Sequence, residues 1–230
     1  NVAVFDGSTR YTIWTGVLGS YDPPDNNIAR TYLTLHKKTS GIKGYICSTR
    51  KDVTIGEYIN DSSTNNIFLR MGSGGGVANS LAVGSIVKSN SNKWHTSNID
   101  YDGSLFIDNS MPVVNGFKSQ NIFQNLELTN NINSEHLAYL GWDKGQNDYL
   151  TGEIAIFSIY KGIFTPQQKT EYSTDPFGFI ERLRANPIEQ AKLHLDIDFN
   201  RTAPQLPIDL SPNAFPITLG AGTATFVPFT

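Results

Sequence analysis

The stretch Lys93–Asn109, KWHTSNIDYDGSLFIDN, constrains the fold more than any other. From Trp94 to Tyr101 it alternates, with His95, Ser97, Ile99 and Tyr101 on one face and Thr96, Asn98 and Asp100 on the other. That period of two is a strand. Asp102-Gly103 supplies the left-handed backbone that a narrow turn needs, Leu105-Phe106-Ile107 returns as a second strand, and Asp108-Asn109 offers another turn.

Short strands of the same kind fill most of the chain. Val2–Phe5 and Arg10–Trp14 flank the turn Asp6-Gly7-Ser8, and Thr31–Lys37 alternates cleanly. Gly44–Ser48, Val53–Tyr58, Ile67–Met71 and Leu81–Lys88 follow, then Met111–Phe117, Asn121–Leu128, Glu135–Trp142 and the strongly apolar Leu150–Tyr160. Twenty Gly, 11 Pro, 10 Tyr and 13 Phe suit a chain of strands and turns. The spacing predicts an antiparallel β-sandwich or jelly roll. One helix is marked clearly. Thr165, Pro166 and Gln168 form a capping box with proline at the first helical position, so a helix should run to about Tyr172. Asp175–Phe179 should end it, with a further helical turn over Ile180–Ala185.

These motifs resemble the laminin-G-like branch of the concanavalin A-like lectin-glucanase jelly rolls. Trp94-His95, Tyr101-Asp102-Gly103 and Leu105–Asn109 match the family's W-H…Y-D-G…L-Y-V-D-G. Leu140-Gly141 matches L-x-I-G, Gly152–Tyr160 matches G-x-I-D-x-V-x-I-Y, and Phe5–Ser8 matches F-D-G-S. Ser97, Asn98, Asn109 and Ala155 depart from the pattern without disturbing its strand and turn chemistry. The resemblance implies a sandwich over 1–180, a linker over 181–192 and tail strands over 193–230. Within the tail, Leu193–Phe199, Asp209–Asn213 and Ile217–Val227 are similar to strands that open the family's fold. They are expected to be permuted into the chain's own sheet or swapped into a neighbour's, rather than to begin a second repeat; homo-oligomeric or virion contacts would run through them.

Enzyme and nucleic-acid classes find little support. A net charge of −3 offers no basic nucleic-acid surface. No apolar run is long enough to span a membrane. The single Cys47 excludes a disulfide framework and reads as a strand residue. There is no nucleophile elbow, phosphate loop or zinc motif, and Gly72–Gly76 lacks the Lys-Ser/Thr that would hold a phosphate. Glu153 lacks carboxylate partners along its strand, and Asp196 with Asp198 reads as a pair of solvent-facing acids with no third partner. His95 is expected to pack.

Sugar recognition needs aromatic platforms with amides and carboxylates beside them. Trp142, Asp143, Gln146, Asn147, Asp148 and Tyr149 supply that set within one loop, and Trp14 and Tyr21 would join it if their loop lies near. Calcium is the one metal the resemblance suggests, with Asp143 and Asp148 as the expected ligands and Asp22 with Asp25 as a second cluster. The expectation is a non-catalytic domain that binds a glycan or cell-surface polysaccharide and works outside the cell, at a cell surface or on a virion. The alternative is a structural or decoration subunit of a phage particle or other assembly. The chain has no initiator Met and opens inside a strand, so a processed product or part of a longer protein is expected.

Overall fold

A computed structural model describes residues 1–14, 29–39, 44–49, 55–61, 67–73, 80–84, 92–102, 112–114, 117–118, 121–125, 137–202 and 207–230. Its strands, in chain order, begin with β1 (Val2–Asp6), β2 (Arg10–Trp14), β3 (Arg30–Lys38), β4 (Gly44–Ser48), β5 (Ile55–Asp61) and β6 (Ile67–Ser73). Then come β7 (Ser80–Gly84), β8 (Trp94–Tyr101), β9 (Pro112–Val114), β10 (Phe117–Lys118), β11 (Asn121–Asn125) and β12 (Leu137–Leu140). The short β13 (Trp142–Asp143) and β14 (Asp148–Tyr149) precede the long β15 (Thr151–Lys161). Helices α1 (Pro166–Thr174), α2 (Pro176–Ala185) and α3 (Pro187–Gln190) follow, then β16 (Leu193–Asp198), α4 (Phe199–Thr202), β17 (Ile217–Ala221) and β18 (Thr225–Val227).

Two antiparallel sheets carry the fold. One runs β10-β9-β8-β3-β15-β1-β18 with β16 also on β15; the other runs β11-β7-β6-β5-β4-β12-β2-β17. Phe5, Tyr32, Ile99, Ile154, Phe157, Leu195 and Ile197 from the first sheet meet Tyr11, Ile13, Ile46, Leu69 and Leu140 from the second in a buried core. A second core covers the first sheet's other face. There Leu33, Leu35, Ile156 and Tyr160 pack against Tyr172 of α1 and Phe179, Ile180 and Leu183 of α2. Each such side chain contributes roughly 1.5–3 kcal/mol on burial.

The helices are more extensive than the sequence suggested. The Thr165–Gln168 capping box forms, with each side chain bonded to the other residue's backbone nitrogen. Asp175 does not end the helical region. It closes α1 through its own nitrogen and caps α2 by accepting from Gly178 N, with Pro176 at the first helical position. The stretch 181–192, expected as a linker, contains the end of α2 and all of α3. None of the helices among the described residues is long and apolar enough to cross a membrane.

The tail strands are threaded through the sandwich. β3 lines one side of β15, while on the other side β1 pairs with Thr151–Ile154 and β16 with Ile156–Tyr160. β16 and β1 therefore run in the same direction, end to end, along one neighbour. β17 pairs with β2 in one sheet and β18 with β1 in the other. Residues 217–227 thus form an antiparallel ribbon with residues 2–13 that bends from sheet to sheet. At the bend, the Thr9 hydroxyl donates to the Thr223 carbonyl.

Trp94–Tyr101 is β8, as its alternation predicts, and pairs with β3 along its whole length. The returning strand at 105–107 and most of the glycine run at 72–76 lie outside the described residues.

Candidate functional site

The loop singled out from sequence is a small hairpin standing against the outer face of the second sheet. Gly141 puts it there. Its φ of +77° turns the chain out of β12, and a Cβ at this position would meet the Phe5 ring at 2.1 Å. Beyond the turn, β13 and β14 pair Trp142 with Tyr149 and Asp143 with Asp148. Asn147 takes a positive φ of 54° near the tip, a conformation Asn tolerates.

The aromatic residues form a stack. The Trp142 indole meets Tyr139 edge to face at 4.8 Å and lies 6.0 Å from the Tyr149 ring. Arg10, on β2, lays its guanidinium 4.0 Å above the indole and 6.0 Å from the Tyr139 ring. Trp142 is consequently only 8% exposed. It is a covered support for its neighbours, while Tyr149 is the half-exposed ring. Lys144, Gln146 and Asn147 are exposed around the tip, and the Trp142 Nε1 donates to Asn147 Oδ1 at 3.2 Å.

Asp143 is buried, and both of its oxygens are engaged. Ser48 Oγ donates to Oδ1 at 2.6 Å and the Gln146 nitrogen to Oδ2 at 2.9 Å, which anchors the hairpin to β4. Its pairing partner Asp148 is half-buried. Among the described residues, no cluster of three or more His, Cys, Asp or Glu side chains is placed to hold a metal ion. Trp14 is the last residue of β2, opposite Leu137. Tyr21, Asp22 and Asp25 lie outside the described residues.

The acidic pair in the tail has a different setting from the solvent-facing one expected. Asp196 and Asp198 are both buried and converge on Arg184 of α2. Arg184 donates from Nε and Nη2 to the two oxygens of Asp196, at 2.6 and 3.0 Å, and from Nη1 to Asp198 at 3.1 Å. Ser158 Oγ adds a bond to Asp196 at 2.9 Å, and Glu181 meets the same arginine at 2.8 Å. A second buried pair, Lys169 of α1 with Asp100 of β8, lies on the same side of the first sheet and includes a bond from Thr31. Burial pushes the Asp100 carboxyl up, against the pull of Lys169 and Thr31.

Sequence reasoning missed Arg10, because nothing in a strand pattern says which exposed-face residue a later hairpin will cover. His95 is buried, as expected, with its ring 6.3 Å from that of His36.

No family profile matches the chain, and no curated protein matches it in sequence. Solved structures do match in shape. The fold is a concanavalin A-like jelly-roll β-sandwich. The Ruminococcus gnavus IT-sialidase CBM40 bound to α2,3-sialyllactose superposes with a TM-score of 0.55 at 10% identity, covering 75% of this chain and 96% of that one. A candidate carbohydrate-binding protein from Bacteroides ovatus gives 0.54 at 11% identity; it covers 95% of this chain, which spans 59% of that protein's length. The native heptameric SAP-like pentraxin from Limulus polyphemus gives 0.50 at 12% identity, covering 75% of this chain and 81% of that one. At these identities the likeness is one of fold.

Proposed function

We propose that this jelly roll is a non-catalytic glycan-recognition domain whose site is the Trp142–Tyr149 hairpin and the sheet face beneath it. The observation that carries the reading is the Tyr149 ring, half-exposed beside the covered Trp142–Arg10 stack, with the Gln146 and Asn147 amides exposed at the same tip. A sugar ring offers C–H groups to an aromatic face and hydroxyls to amides, and this hairpin presents both. The Asp143 bonds to Ser48 and Gln146 hold the tip in place before any ligand arrives, which limits the entropy lost on binding. The sialyllactose-bound and candidate carbohydrate-binding neighbours support the same reading. Extracellular, cell-surface or virion placement is part of this proposal, with a surface polysaccharide as the ligand class.

A second reading has its own observation. β18 and β17 end the strand orders of their two sheets, and both are half-exposed. Edges of this kind suit assembly with a neighbouring copy or a structural role in a particle.

A glycan array tests the first reading. Wild type is expected to bind a defined set of glycans equally in calcium and in EDTA, because both Asp143 oxygens already have protein donors. Trp142→Ala should abolish that binding, and Tyr149→Ala with Gln146→Ala should weaken it about tenfold or more while the fold is kept. Sugar-independent obligate oligomers by light scattering, with an empty array, would favour the second reading.

A further inference from the structure

Arg10 stands out among the charged residues near the hairpin. The chain carries a net charge of −3, yet this arginine makes no ion pair and no hydrogen bond among the described residues. Its interactions there are the stacks on Trp142 and Tyr139. It is half-buried, and its Nε is buried without an acceptor among the described residues. Nη1 and Nη2 are not among the buried atoms, so they are the donors of this planar group that a ligand can reach.

The surroundings confine the group on two sides. Gly220 of β17 lies alongside, and a Cβ there would come within 3.1 Å of Arg10 Nε and 2.5 Å of Thr12 Oγ1. The missing side chain at Gly220 leaves the space that the arginine occupies, and the indole forms the other wall.

We infer that Arg10 is the anion-reading group of the site and that the glycan it selects bears a carboxylate. The inference rests on the glycan-recognition reading and specifies it. A carboxylate accepts two parallel N–H bonds from one guanidinium, a geometry that a lysine ammonium cannot reproduce. Confinement between Trp142 and Gly220 restricts the side chain beforehand, so less of its freedom is lost when the anion arrives. Uronic and sialic acids share this chemistry.

Isothermal titration with five probes tests the inference: a sialyl-trisaccharide, a uronate hexasaccharide, a neutral counterpart of each, and a sulfated hexasaccharide. Wild type should bind at least one carboxylated probe about tenfold or more tighter than its neutral counterpart, and the two acidic arms identify which sugar acid is read. Arg10→Gln should erase that preference, and Arg10→Lys should leave only a weak, salt-sensitive remnant. Near-UV circular dichroism on both variants checks that the aromatic stack stays folded. Equal affinity for acidic and neutral probes, or an unchanged preference in Arg10→Gln, would overturn the role of Arg10 and leave glycan recognition standing. A sulfated hexasaccharide that binds while both carboxylated probes fail would overturn the carboxylate assignment. Absence of binding to any sugar, here and on the array, would overturn both readings.

Discussion

His194 is a buried histidine in a strand that carries two aspartates on the helix side. Its ring packs against Phe215 at 5.4 Å, and neither ring nitrogen has a hydrogen-bond partner among the described residues. Burial, and then the charges of Lys161 and Arg30, lower its pKa to about 4. The unfolded chain would protonate this ring near pH 6.5, whereas the folded chain resists until about pH 4. Stability from this group is therefore full above the unfolded pKa and falls as pH drops through that window, by on the order of 3 kcal/mol in total. Urea unfolding between pH 7 and pH 4 should show that loss, and His194→Phe should flatten the slope. A wild-type slope that the substitution leaves unchanged would assign the acid sensitivity to other groups. Two other residues, Ser97 and Asn98, depart from the pattern that the sequence resembles. Ser97, where an apolar residue is usual, faces the inter-sheet core and shares a 2.6 Å hydroxyl contact with Thr34, which also meets His36 Nδ1 at 3.0 Å. A local polar chain thus replaces an apolar contact. Asn98 is fully buried with both amide atoms unpartnered among the described residues, and nothing in the structure explains it.

At the scale of elements, Arg184 joins the helical layer to the tail. It sits near the end of α2 and takes both aspartates of β16, so strand, helix and the long β15 meet through one guanidinium. Removing one partner from such a buried cluster leaves uncompensated charge. Arg184→Met is expected to cost roughly 3–5 kcal/mol by chemical denaturation. A loss below about 1 kcal/mol would mean the two aspartates find other partners. This contact also shows where sequence reading stops. The alternation of Leu193–Asp198 and the capping box at Thr165 were legible because strand period and cap chemistry are local. That Asp196 and Asp198 would be buried was not, since their partner comes from a helix whose start, Asp175-Pro176, reads equally well as a stop. The hairpin was legible as a cluster of aromatic and amide residues. Its covering by Arg10 was not, because β2 and β13 are brought together only by the register of β2 on β12 and the turn at Gly141.

Across the whole molecule, the tail matters for what it neighbours. β17 and β18 lie along β2 and β1, so the strand that carries Arg10 is flanked by tail on one side and by β12 on the other. We propose that residues 193–230 belong to the same folding unit as 1–180, with the site assembled from segments far apart in sequence: Arg10, Tyr139, the 142–149 hairpin and Gly220. Such a site fails if any one of those segments is displaced, so ligand binding also reports on the sandwich as a whole. The most direct measurement is an NMR titration of the labelled chain with the tightest-binding array glycan, following the Trp142 indole, the Arg10 side chain and the backbone amides of 144–149. The account predicts saturable shifts concentrated on these residues and on β17 around Gly220. Shifts concentrated on the helical face around α1 and α2, or spread evenly without saturation, would contradict it.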